Sequence, residues 1–214
     1  MGRRPMAANA KMTDAIRLMT LVLMLMTTLA TQAQERKWEN KFYAGAGFMA
    51  AKGDGDSSSG LALQAGYGLM YRFAEHWSLM PGVAVRYVAE NAFADSADGA
   101  DDDAFTFLDI PLLVQHHVGS GKGSWTLGLG PVFSFCVGND NYYVDADPQS
   151  PLNKLSKCKD FSLGLQPSID FQLSKHFSVG IDGHIGLTNL KRNHGLTSGS
   201  KHIHSLTAHV AWTL

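Results

Sequence analysis

From about residue 40 onward, apolar residues alternate with small or polar ones at a period of two. This is the signature of strands whose two faces meet different surroundings. In 61–73 one face reads Leu61, Leu63, Ala65, Tyr67, Leu69, Tyr71 and Phe73, and the other reads Ala62, Gln64, Gly66, Gly68, Met70 and Arg72. Segments 77–89, 125–137, 161–173 and 177–187 repeat the pattern, and Gly183 alone breaks the apolar face. Weaker alternation marks 41–50, 105–118 and 202–214, which brings the expected strands to eight. In 105–118, Phe105 and Phe107 fall on the opposite face from Leu108, Ile110, Leu112 and Val114. A bulge near Leu108 is expected to reconcile them.

The second face is not a surface for water, because it is rich in Gly, Ser, Thr and Gln. Small residues with scattered charges suit the cramped bore of an eight-stranded barrel. The nearly uniform apolar face suits lipid. Segments of 11–14 residues are longer than the strands usual in globular sheets and long enough to cross a bilayer at a tilt. In hydrocarbon only a helix or a closed barrel satisfies every backbone group. The expected fold is therefore all-β, an eight-stranded antiparallel up-and-down transmembrane β-barrel. Short connections at 74–76, 119–124 and 174–176 alternate with longer polar ones at 51–60, 91–104, 138–160 and 188–201, as when short turns face the periplasm. Trp77, Trp125 and Phe177 open strands after short turns, and with Phe73, Phe171 and Trp212 they predict an interfacial girdle.

The N-terminus reads differently. Arg3, Arg4, Lys11 and Arg17 precede a short apolar run, Leu18 to Leu29, and Thr31-Gln32-Ala33 supplies the small residues of a cleavage site. The run is too short to span a bilayer and fits an export signal. Residues 1–33 are expected to be a signal peptide cut after Ala33, leaving 34–214 as the barrel domain. The mature chain then has 14 Lys+Arg against 18 Asp+Glu, a net charge of −4. With no basic cluster in the body, nucleic acid is excluded as a partner, and a 45% hydrophobic, 17% charged chain is no disordered one.

Several short motifs carry a family likeness. FLDIPLLVQ at 107–115, LGLGPVFSF at 127–135 and GLTNL at 186–190 resemble the small outer-membrane β-barrel family that includes the PorT-like proteins. The resemblance covers most of the chain from about residue 40 to the C-terminus. It implies an exported barrel in the outer membrane of a Gram-negative bacterium. The expected partners are outer-membrane lipids and other envelope or secretion proteins. For PorT-like members it implies an accessory role in protein secretion.

Candidate chemistry is sparse, and no catalytic, cofactor-binding or metal site is assigned. The acidic stretch 95–103 with Glu90, and the shorter Asp54/Asp56 stretch, read as solvated loops whose spacing fits no known calcium loop. His202 and His204 share one strand face, with His194 in the loop before them, short of the three or four placed ligands that zinc takes. Asp109, His184, His194 and His202 are the residues a barrel enzyme acting on lipid or peptide would draw on, and no motif joins them. The leading reading is a non-enzymatic structural, interaction or secretion-accessory barrel; the alternative is a narrow passive channel.

Inward parity places Arg72, Arg86, Glu90, Asp109, Gln115, Gln166, Asp170 and Asp182 in the bore. Arg86 and Asp109 fall at similar heights on neighbouring strands and are expected to pair, since charge in a narrow interior is costly alone. Cys136 and Cys158, both inward near the outer rim, are expected to form a disulfide after export to an oxidising compartment.

Overall fold

The computed structural model describes residues 38–53, 57–90, 104–139, 141–142, 155–156, 158–190 and 200–214. The expected cleavage after Ala33, the acidic stretch 95–103 and His194 lie outside them. The strands in chain order are β1 (Trp38–Gly53), β2 (Ser57–Arg72), β3 (Trp77–Glu90), β4 (Ala104–Val118), β5 (Trp125–Asn139), β6 (Asn141–Tyr142), β7 (Leu155–Ser156), β8 (Phe161–Gln172), β9 (Phe177–Gly186) and β10 (Lys201–Thr213). Eight of them close into one antiparallel barrel in the order β1-β10-β9-β8-β5-β4-β3-β2, and β6 and β7 pair separately as a small ribbon.

The period-two pattern sorts side chains as the two faces require. Leu129 is 53% exposed and Ile169 48%, while Arg86, Asp109 and Asp170 are buried. Thirteen consecutive rungs join β1 to β10, from Lys41↔Thr213 to Gly53↔Lys201, so the first and last barrel strands seal the cylinder. Aromatics at the short-turn end face one another across the rungs of β5–β8 and β9–β10. Trp125 lies opposite Phe171 with ring centroids 4.7 Å apart, and Phe177 lies opposite Trp212 at 6.4 Å. A girdle built of cross-strand pairs adds packing to its interfacial placement.

Three expectations change. First, β1 runs to Gly53 and β2 begins at Ser57, so the connection expected at 51–60 shortens to 54–56. Beyond the hydrocarbon a strand continues with polar residues on both faces, which erases the alternation that marks it. Second, the β4–β5 register shifts between Thr106 and Phe107, and the extra residue is Val137 on β5, not one near Leu108. Phe105 and Phe107 therefore keep their inward parity, and both are buried. Third, Arg72 faces the bore as its parity requires but stands half-buried at the short-turn rim, where it pairs with Glu39, Nε to Oε1 3.0 Å.

Candidate functional site

The bore is the one place where inward side chains from all eight barrel strands converge, and they pack there in layers. At the long-loop end Met49, Ala51, Ala62, Val88, Phe105, Phe107, Cys158, Leu190 and Ile203 form an apolar plug, with Cys136 packed against it. Lys201 sits over this plug, its Nζ 2.5 Å from Glu90 Oε1 and 5.2 Å from the Phe105 ring. Ser58 Oγ donates to the other Glu90 oxygen at 3.0 Å.

Beneath the plug lies Arg86. Its Nε donates to Asp109 Oδ2 at 2.6 Å and its Nη2 to Asp109 Oδ1 at 3.3 Å. Register explains the reach: Arg86 is directly opposite Phe107, so Asp109 is its diagonal neighbour, within range of a long side chain. The guanidinium also lies 4.6 Å from the Phe107 ring centroid, while Nη2 is 3.3 Å from His184 Nε2. A two-toothed Arg–carboxylate contact is the favoured way to hold such charges away from water.

A second network spans the lower bore. Lys41 Nζ donates to both Asp170 oxygens at 2.7 Å. His209 Nε2 stands 2.8 Å from Asp170 Oδ1, and its Nδ1 is 3.1 Å from Asp182 Oδ2. Gln64 Nε2 donates to that same Asp182 oxygen at 2.7 Å. Two inward glycines make room for the imidazoles. A Cβ at Gly180 would lie 2.7 Å from His209 Cε1, and one at Gly164 would lie 2.7 Å from His184 Cε1. The glycine-rich inner face thus reflects the bulk opposite it as well as the narrowness of the bore.

At the short-turn end Ser78 Oγ lies 2.8 Å from His117 Nε2, and His117 Nδ1 lies 3.0 Å from Thr126 Oγ1. A Ser–His contact invites a hydrolase reading. Ser78 is fully buried, however, and the third group is a hydroxyl with no charge to offer an imidazolium, so this contact is packing. Asp109 and His184 meet around Arg86 in the bore, while His202 lies across from Lys52 in the register of β10 and β1. The imagined rim constellation of Asp109, His184 and His202 is therefore not assembled. Cys158 lies in the apolar plug with Cys136 packed against it, and the two sulfurs are within hydrogen-bonding reach of each other.

Sequence reasoning missed Lys41, Tyr43, His117 and His209, all buried. Their parity was available: Lys41 and Tyr43 share a face with Met49 and Ala51, and His209 shares one with Ser205 and Thr207.

An apolar exterior, an aromatic girdle and a charge-lined, closed bore define a barrel that crosses a membrane with strands. Residues 31–192 match the family described as outer membrane protein beta-barrel domain, and the chain belongs to that family, whose place is the outer membrane of Gram-negative bacteria. No curated protein matches it. Among solved structures it is similar to Neisserial surface protein A, with TM-score 0.49 and 11% identity over 82% of this chain and 95% of that one. It is also similar to Ail, the attachment invasion locus protein of Yersinia pestis, with TM-score 0.44 and 11% identity over 83% and 99%. OprG from Pseudomonas aeruginosa follows, with TM-score 0.42 and 15% identity over 82% and 96%.

Proposed function

We propose that this barrel serves the outer membrane as a non-enzymatic structural or interaction protein, with the secretion-accessory role of the PorT-like proteins as its specific form. The observation that carries this reading is the plugged bore. An apolar plug at one end and a salt-bridged network below it leave the loops, the rims and the lipid-facing wall as the surfaces that meet other molecules. Charged groups committed to one another in this way stabilise a wall instead of lining a path. A passive channel would need an open polar route past Phe107 and Met49, and both are fully buried.

The test is purification of the exported protein from its own outer membrane in mild native detergent, followed by sizing and mass spectrometry. A stoichiometric complex with another envelope or secretion protein, lost when the loops are shortened, supports the reading. A species that carries only lipid at every detergent concentration contradicts it.

A further inference from the structure

The short-turn end of the bore is not filled. A cavity of about 380 Å³ opens there, and its walls include Lys41, Arg72, Lys122, Lys175, Gln115 and Thr126. Met70 and Gln115 belong to its lining and are themselves buried, so the cavity ends against packed side chains. That volume lies within the range of small-molecule sites.

Its charge is unbalanced. Six charged side chains line it: Glu39, Lys41, Arg72, Lys122, Asp170 and Lys175. Both carboxylates are already taken, Glu39 by Arg72 at 3.0 Å and Asp170 by Lys41 at 2.7 Å. Lys122 and Lys175 have no carboxylate partner among the described residues, which leaves two cationic groups at one mouth. They are held near each other by backbone. The Gly123 N–H donates to the Gln172 carbonyl at 2.8 Å, and the Gln172 N–H donates to the Ser124 carbonyl at 2.9 Å. These bonds fasten the Lys122 turn to the start of the turn that carries Lys175.

The Lys122 turn has a second property. Gly119, Gly121 and Gly123 all have left-handed φ, at 81°, 69° and 85°, so every second residue of the turn is reversed in hand. Such spacing is the ingredient of backbone nests, in which neighbouring N–H groups face one concavity and cradle an anion. Gly119, Ser120, Gly121, Lys122 and Ser124 all line the cavity. The N–H groups of Ser120, Gly121 and Lys122 donate to no backbone carbonyl among the described residues. A closed-ended cavity, two unspent lysines and a turn with spare donors are three separate features of one site.

We infer that this vestibule binds a phosphate group, held by Lys122, Lys175 and the backbone of the 119–124 turn. The proposal goes beyond the plugged-barrel reading and stands if that reading falls. The phosphate belongs either to a small soluble phosphate ester or to a phospholipid headgroup of the leaflet at this end, and both present the same chemistry to the site.

The experiment titrates inorganic phosphate into the full mature protein in a phosphate-free detergent such as octyl glucoside, read by calorimetry and by ³¹P line width. Saturable binding is expected, weakened about tenfold in Lys122→Gln/Lys175→Gln, as losing two charge-assisted contacts at a solvated rim implies. It is also expected to weaken in Gly121→Ala, whose φ suits glycine alone. Lys159→Gln, exposed beyond the other end of the barrel, is expected to bind as the wild type does. Repeating the titration in phosphatidylglycerol nanodiscs distinguishes the sources. A headgroup occupant lowers the apparent phosphate affinity of the wild type but not of the double variant, whereas a soluble ester leaves both as in detergent. No saturable binding, or the same affinity in the wild type and in a double variant that keeps its folded electrophoretic mobility, overturns the proposal.

Discussion

Replacing Asp109 by Ala isolates the cost of an orphaned charge in the bore. The change removes both hydrogen bonds from Arg86, at 2.6 and 3.3 Å. It leaves the guanidinium, whose side chain is 3% exposed, with His184 Nε2 at 3.3 Å, Ser134 Oγ at 3.5 Å and the Phe107 ring. None of these carries a compensating negative charge. Coulomb attraction at about 4 Å and an effective dielectric near 20 is about 4 kcal/mol, and breaking one partner of a buried pair typically costs about 3–5 kcal/mol. Asp109→Ala is therefore expected to destabilise by about 3–5 kcal/mol. The double variant Arg86→Met/Asp109→Leu, which removes both charges at similar volume, is expected to recover most of that loss. The assay is urea unfolding of the barrel reconstituted in lipid vesicles, followed by tryptophan fluorescence and heat-modifiable mobility on gels. Single variants each within 1 kcal/mol of wild type, with additive behaviour in the double, would refute the argument, since ~1 kcal/mol is the ceiling for a solvated pair.

Other expectations follow from the two faces of the wall. Arg in place of Leu129 or Ile169, both on the lipid face, should cost roughly 2–4 kcal/mol near the midplane; the same change at Ala100, between β3 and β4 in the sequence, should be nearly neutral in the same unfolding assay. Gly180→Val should destabilise by about 1–3 kcal/mol as an overpacked site, because its Cβ would lie 2.5 Å from the Ile169 carbonyl oxygen and 2.7 Å from His209 Cε1, and the histidine NMR signal should shift; an unchanged His209 signal would count against the glycine–histidine fit. Oxidation after export should join Cys136 to Cys158, contributing roughly 3 kcal/mol in the chain-entropy view; thiol titration of the unfolded, non-reduced protein should find no free thiol, and two would exclude the bridge. Intact-mass analysis of the exported chain should begin at Gln34, and any other start rejects cleavage after Ala33.

The strands and their lipid face were legible because a period of two leaves a mark in every short window of sequence. Leu61 to Phe73 or Trp125 to Val137 can each be assigned without reference to the rest of the chain. What meets inside the bore was much less legible. Lys41 and Asp170 are 129 residues apart, and only closure of β1 onto β10 sets their heights. Arg86 and Asp109 were the exception, since β3 and β4 are consecutive and a hairpin count is enough. Phe105 and Phe107 misled in the opposite way. Large aromatics on the polar parity look like a slip in register, whereas here they supply the bulk of the plug. The β1–β2 connection was read too long because Lys52, Gly53 and Ser57 to Ser59 have loop-like chemistry while still pairing as strand.

A barrel whose bore is closed by Phe105, Phe107 and Met49 above the Arg86–Asp109 and Lys41–Asp170–His209 clusters should pass no steady ion current. Single-channel recording of the purified mature protein in a planar bilayer, with insertion verified independently, measures this directly. The account predicts a silent bilayer for the wild type, and openings only when the plug is cut back, as in Phe105→Ala/Phe107→Ala. Large, steady currents from the wild type would contradict it.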